Sequence, residues 1–530
     1  MEGSTVLQTK TVDSIIYQKQ FDIAKGIEDE SNRVFKKLFE IGYLETEKLA
    51  TTKINDSTFL TRFSLGKRIS DLHIYIGKND DGINLANYKV ENDYIVLPIE
   101  SVESFMQLQL KFLEQKGYSL ANLKLENFRK EATVLKANLV ISKSEVRFLT
   151  DIIIKGYPKF PESHKRNLMR LFANKTFNQD GLQKVYKEVD EYRFSKQTQY
   201  PEILFTKDST KIYLYVEKAK ANRFDGFLGF SNEEGGKVRF NGYLDILLHN
   251  ILNSGEQLLI YWKNDGQDQT SFNVGLQVPY IFKSPLGLKA ELNIFKRDST
   301  FQNTNTSVDL GYFFNYNSRL YLGYQATESS DIQNTNSSFI SDFTNSFVTS
   351  KYEFMRFKSD DFLFPEKTII NFTIGAGKRD SKTDSQSQFF GNLLVKQNLY
   401  LNEKNNIQLS SQNYYLQSDT YIVNELYRFG GIKSIRGFNE NSLQGNFLTS
   451  ILTEYRYVLS PGLYVHSIID YAYYQDKTTE LNDTLLGLGF GFGLSTKNGF
   501  FNLIYANGST GDQAIQLSNS IVHISFKSNF

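Results

Sequence analysis

The sequence predicts α+β repeats followed by a 16-stranded antiparallel transmembrane β-barrel. Three observations carry that expectation. No run of about 18 apolar residues occurs, so no transmembrane helix can be placed. From about Asn222 the helical period vanishes, and short runs of alternating polar and apolar residues replace it. The connections between those runs alternate between tight turns and long polar loops, as they do in membrane barrels with short turns on one rim and long loops on the other.

Composition narrows the classes. The formal net charge is +1, which gives no bulk attraction for nucleic acid. Cys is 0, so disulfide and thiolate-metal readings are excluded. Aromatic residues make up 14%, with 43 Phe and 32 Tyr, which suits lipid-facing strands. Met1 to Lys10 lacks the apolar core of an export signal, and the expectation is a tail (1–10) from which a signal peptide has been removed or replaced.

Three repeats are expected next. The first (11–78) opens with the β-prone run Thr11 to Tyr17. A helical pattern follows from Asp22 to Tyr43, then β-like runs at Ser57 to Ser64 and Asp71 to Ile76. The second (90–144) has strand-like Tyr94 to Ile99, helical Val102 to Lys116, and strands near Leu135 to Ser142. Gly42-Tyr43 and Gly117-Tyr118 close the two helices, as a left-handed C-cap would. Their separation of about 75 residues suits one repeat unit. The third (146–220) begins at Val146 and continues with helices at Glu162 to Ala173 and Asn178 to Tyr192. It closes on Glu202 to Phe205 and Lys211 to Glu217. The alternative is one α+β domain whose Gly-Tyr helix ends coincide by chance.

Sixteen strand candidates fit between Phe224 and Phe530, within a barrel domain of 222–530. In the second, Leu244, Ile246 and Leu248 alternate with polar positions such as Asp245. The expected long connections are Glu328 to Ser346, Lys378 to Ser387 and Ser418 to Gly445. A soluble β-sandwich is the alternative, and it does not call for one-sided loop lengths. The first strand candidate, Phe224 to Asn232, is short and contains Gly226 and Gly229, which makes it a weak partner for the last strand at a lateral seam.

The connection 418–445 holds the longest motif-like run, YRFGGIKSIRGFNE. A connection of about 28 residues inside a compact domain is functional or disordered. Arg436 stands between Ile435 and Gly437-Phe438, which predicts a loop that folds inward. An inward arginine must find acids. Alternation in Phe447 to Leu459 and Leu463 to Tyr474 aims Glu454 and Asp470 into the lumen, with Arg456 and His466 on the same faces. In Leu486 to Leu494, Gly487, Gly489, Gly491 and Gly493 face inward and leave a bed for the loop. The alternative for those glycines is barrel curvature.

With GGIKSIRGF in a late loop, Glu454-Tyr455-Arg456 after it and the inward Asp470 in IIDYAYY, the chain resembles the BamA/TamA superfamily of outer-membrane assembly and translocation barrels. The resemblance covers essentially the whole chain. It implies that the N-terminal repeats are periplasmic POTRA domains, each β-α-α-β-β. It also implies that Arg436 is the loop-tip arginine, that Gly437 and Phe438 are its turn and wedge, and that Glu454 and Asp470 are the lumen acids that hold it. The last strand places Val522, Ile524, Phe526 and Phe530 on one face, and its terminal aromatic resembles the C-terminal signal of bacterial outer-membrane barrels. One departure stands out: Tyr471-Ala472-Tyr473 follows the acid, where relatives often have a glycine two residues on.

The implied function is insertion or export of polypeptides at the bacterial outer membrane. The implied partners are the lipid bilayer, unfolded outer-membrane or secreted polypeptides, and an accessory periplasmic protein or lipoprotein, with no nucleic acid. The alternative is a two-partner-type secretion pore for one dedicated substrate. A porin or nutrient receptor is disfavoured by residues 1 to 220. Enzymatic activity, cofactors and metals are not expected: the five histidines are scattered, no G-x-S-x-G elbow occurs, and Gly229 to Gly236 lacks a phosphate-loop pattern.

Overall fold

The computed structural model describes the chain except for residues 78–81, 132–133, 233–237, 265–268, 335–338, 359–360, 362, 383, 497–498, 517, 519 and 530. It divides into two compact units, one built mainly from residues 1–150 and one mainly from 151–530.

In the first unit, the first repeat reads β-α-α-β-β. A strand at Glu2–Gly3 leads into α1 (Val6–Ser14) and α2 (Ala24–Glu40), then strands at Glu47–Lys48 and Arg62–Ser64, with Arg62–Ser64 central in the sheet. This corrects two expectations. Residues 1–10 are not a tail but the opening strand and helix, and most of Thr11 to Tyr17 is helix or its exit, not strand. Thr and Ile raise local β propensity, but tertiary packing overrides it. The Thr5 hydroxyl caps α1 by accepting from Gln8 N at 3.2 Å, and Val12 is buried against Val34, Leu38 and Phe63.

Asp71–Tyr75 was expected in the first repeat but opens the second. It runs parallel to Val134–Ser142 and antiparallel to Tyr94–Pro98. Its alternation of Leu72 and Ile74 would suit either sheet, and only the distant partner decides between them. Among the described residues, the second repeat has one long helix, α3 (Val102–Gln115), and a short hairpin Val90–Glu91/Tyr94–Pro98 ahead of it. Its core is Leu72, Ile74, Ile95, Leu97, Phe105 and Leu135.

The two helix ends are built alike. Tyr43 N donates to Leu38 O at 3.0 Å and Tyr118 N to Leu113 O at 3.0 Å, each across a glycine in the left-handed region, Gly42 at φ +103° and Gly117 at φ +94°. Each glycine carbonyl then accepts from the chain entering the following repeat, Ile69 N and Arg147 N, both at 2.9 Å. The shared joint supports a repeated unit over a coincidence of helix ends.

The third repeat has a strand at Leu149–Lys155, α4 (Glu162–Phe172), α5 (Gln179–Asp190) and strands at Ser195–Gln197, Glu202–Phe205 and Thr210–Lys218. Residues of α4 and of 184–204 belong to the barrel's compact unit and pack on its short-turn end. His164 is fully buried. It lies edge-on to Tyr192, Phe194 and Tyr280, with ring centroids 5.0, 4.9 and 4.9 Å away. Ser163 Oγ donates to Ser254 O at 3.1 Å, and Glu188 accepts from Tyr316 N at 3.0 Å. Burial drives the His164 imidazole down to about 3, with the nearby Arg319 charge adding to the effect.

The barrel is closed and has 16 strands in sequence order, from Arg223–Asn232 to Ile521–Asn529. Ile451, Tyr471, Phe490 and Val348 are among its outward-facing exposed residues. An apolar band of this extent faces lipid, not water. The ninth strand runs on to Ser381 and the tenth starts at Ser385, so most of the long connection expected over Lys378 to Ser387 is strand. Its polar residues are lumen and rim residues of long strands, which composition alone cannot separate from a loop.

Candidate functional site

The connection 418–446 folds into the barrel. A hairpin pairs Tyr427–Phe429 with Leu443–Gly445, and two glycines at its bend, Gly430 and Gly431, have φ of +102° and +98°. Apolar side chains hold it to the wall: Phe429 and Ile435 cluster with Leu448, Leu452, Ala472, Tyr474 and Leu485. Tyr427 stacks on Tyr414 of the wall at 4.5 Å. Burial of Ile435 is what carries the neighbouring arginine inward.

Arg436 is 4% exposed, Asp470 0% and Glu454 9%. Arg436 Nε donates to Asp470 Oδ2 at 2.7 Å, and its backbone N donates to the same oxygen at 3.0 Å. Its two terminal nitrogens reach Asp470 Oδ1 and Glu454 Oε1. The Asp470 carboxylate therefore receives the Nε–Nη2 edge of the guanidinium and the main chain behind it, and Glu454 takes the other terminal nitrogen. Glu454 is shared, since Arg456 Nε donates to its other oxygen at 2.7 Å, and Arg456 is itself held by Gln408 and Asn398. The imidazole of His466 lies 3.9 Å from Glu454.

The glycine bed is real but differently placed. A Cβ on Gly487 would strike the carbonyl oxygen of Arg436. Gly491 and Gly493 instead make room for the His466 and Tyr464 rings of the wall. The other half of the bed is in the fifteenth strand, Gly499–Thr510, where Gly508 faces both the Gly437 carbonyl and the Phe438 ring. Gly437 has φ +89° and sits against the Asn507–Gly508 peptide, so a side chain there would meet both strain and backbone.

A second arginine clamp was missed in the sequence. Arg379 is 0% exposed and donates to Asp384 at 2.8 and 2.9 Å and to Glu425 in the loop base at 2.5 Å. Its region reads as loop, and no spacing rule links it to Glu425.

Among the described residues, the first and last strands meet over three register pairs, Arg223↔Asn529, Phe224↔Ser528 and Asp225↔Lys527. Both strands continue, yet the ladder stops before Gly226 and Phe526. By contrast, among the same described residues the fifteenth and sixteenth strands share seven pairs and the first and second share ten. A Cβ on Gly226 would lie 2.7 Å from the Tyr243 carbonyl, while Gly229 stands opposite Asn241. Phe526 is exposed on the outer face, and Phe530 lies outside the described residues.

These features define a class: a closed 16-stranded barrel behind α+β repeats, entered by one long inter-strand loop and closed by a short seam. Solved structures that share this fold are CdiB from Acinetobacter baumannii (TM-score 0.55, 11% identity, 97% of this chain and 100% of that one) and CdiB from Escherichia coli (TM-score 0.52, 12% identity, 96% and 97%). BamA from Haemophilus ducreyi lacking POTRA domains 1-3 is similar too (TM-score 0.50, 15% identity, 81% and 93%). No family model matches the sequence, and no curated protein is similar to it in sequence.

Proposed function

We propose that this protein inserts or exports polypeptides at the bacterial outer membrane, with its repeats in the periplasm as the receiving end. The observation that carries the reading is the three-pair closure between strands that both continue past it. Strand edges left without ladder partners are templates for an incoming strand. The clasped loop keeps the lumen wall ordered beside that edge. The bilayer and unfolded polypeptides are the partners, and an accessory periplasmic protein or lipoprotein would deliver the client.

A dedicated two-partner-type secretion pore is the second reading. A polar space of about 770 Å³ beside the loop, lined by residues such as Asn293, Asn305, Asn345 and Asn392, favours it. The chain has 0 Cys, so an engineered pair can be read cleanly. Phe224→Cys with Ser528→Cys places two thiols at a register pair of the seam. Oxidation is expected to stop client insertion by the purified protein in vesicles, and reduction to restore it. Full insertion with the seam cross-linked overturns strand templating, and export of one substrate that survives the cross-link points to the pore.

A further inference from the structure

The tip segment 433–440 does not rest on one wall only. Arg436, Gly437 and Phe438 sit on the twelfth to fifteenth strands, Phe447–Ser460, Leu463–Asp476, Leu481–Thr496 and Gly499–Thr510. Two charged neighbours in the same segment reach the wall beyond the seam. Glu440 pairs with Lys263 and accepts from the Tyr261 hydroxyl at 3.2 Å, and both partners lie on the third strand, Gln257–Asn264. The Lys433 ammonium lies 3.5 Å from Asp245 of the second strand, Val238–His249, and 5.0 Å from the Tyr261 ring centroid. Asp245 also holds Arg223 of the first strand at 2.9 Å.

The strands so joined lie on opposite sides of the seam. From the fifteenth strand to the second, the barrel's own continuity runs through the three-pair ladder of the first and last strands. The loop makes a parallel connection past the seam on the lumen side, from Gly508 and Asp470 on one flank to Asp245 and Lys263 on the other. We infer that this segment is a strap that holds the seam shut, with Lys433 and Glu440 as its release points and Arg436 as its fixed end. The inference rests on the seam opening in function, and it adds which contacts must break first. The physical grounds are an asymmetry of burial. Arg436 and its acids are dry and multiply bonded, so that end holds. The Lys263 and Glu440 side chains are 32% and 31% exposed, and Lys433 is 74% exposed, so those pairs are weak and exchange with water and salt.

The test reads the seam itself, not client insertion, so its outcome is separable from that of the proposed function. The Phe224→Cys/Ser528→Cys pair is followed for its rate of disulfide formation in the purified protein in vesicles. Adding Lys433→Ala and Glu440→Ala is expected to slow cross-linking by about fivefold, the size that two partly exposed ion pairs confer. Glu440→Lys alone should slow it too, and Glu440→Lys with Lys263→Glu should restore the rate. This charge exchange guards against a misfolded variant, because a damaged barrel would not recover. Unchanged rates in Glu440→Lys, or no recovery in the exchanged pair, overturn the strap.

Discussion

At the scale of single residues, the Arg436 cluster is decided by desolvation. Asp470 is 0% exposed and takes three donors from Arg436. Removing the guanidinium leaves a buried carboxylate with no cation, a change that costs about 3–5 kcal/mol in buried pairs. Glu454 is less exposed to the loss because Arg456 still holds it at 2.7 Å. Arg436→Met should therefore free the loop tip to trypsin at Lys433 and weaken client insertion. Arg436→Met with Asp470→Leu should recover much of the protease resistance, since the stranded charge is gone. A double variant as loose as the single one would show that the fork positions the loop by geometry alone. Arg436, Glu454 and Asp470 were legible because a two-residue period aims the acids inward and Ile435 draws the loop after it. Arg456's partners Gln408 and Asn398, and the bed residue Gly508, were not, because they depend on registers between strands far apart in sequence.

At the scale of elements, alternation located the barrel strands well and the short N-terminal elements poorly. The lipid-facing rows around Ile451, Ile469 and Phe490 follow from period two alone. The helix α1 escaped because its β-branched residues resemble a strand until Val34 and Leu38 cover Val12. The same dependence on a partner governs α4. His164 is enclosed by rings from its own repeat and from the barrel turns, and Gly255, at φ +78°, leaves no room for a side chain against its imidazole. Its folded value of about 3 lies below the usual 6.5. A depressed histidine contributes stability that is complete above the unfolded value and is lost as pH falls towards the folded one. The packing of α4 should thus weaken from pH 6.5 downwards, at up to about 1.4 kcal/mol per pH unit. Glu188 and Glu191, pushed up by burial, act in the opposite sense. Comparing the parent with His164→Gln cancels their share. The parent should lose protection of α4 amides from hydrogen exchange between pH 7 and pH 5 more steeply than the variant, and equal slopes would remove His164 as the cause.

At the scale of the whole molecule, composition and period gave the order of parts, repeats and then barrel, but not where the compact units divide. The Gly-Tyr helix ends at Gly42 and Gly117 suggest a repeated unit, whereas packing joins much of the third expected repeat to the barrel. The reason is chemical: Tyr157, His164 and Tyr192 meet Asn250, Tyr280 and Tyr316 in contacts that no repeat period encodes. Two truncations separate the modules. A chain starting at Val146 keeps His164 and Tyr192, which cover Tyr280 and Tyr316. It should fold into a barrel with parent-like heat-modifiable mobility on gels and a protected loop at 418–446, while losing client delivery. A chain starting at Asn222 uncovers those rings at the short-turn end. Each large apolar side chain returned to water costs about 1.5–3 kcal/mol, so this barrel should unfold at a clearly lower temperature than the one that retains the third repeat. Equal unfolding temperatures for the two would mean that the third repeat rests on the barrel without stabilising it.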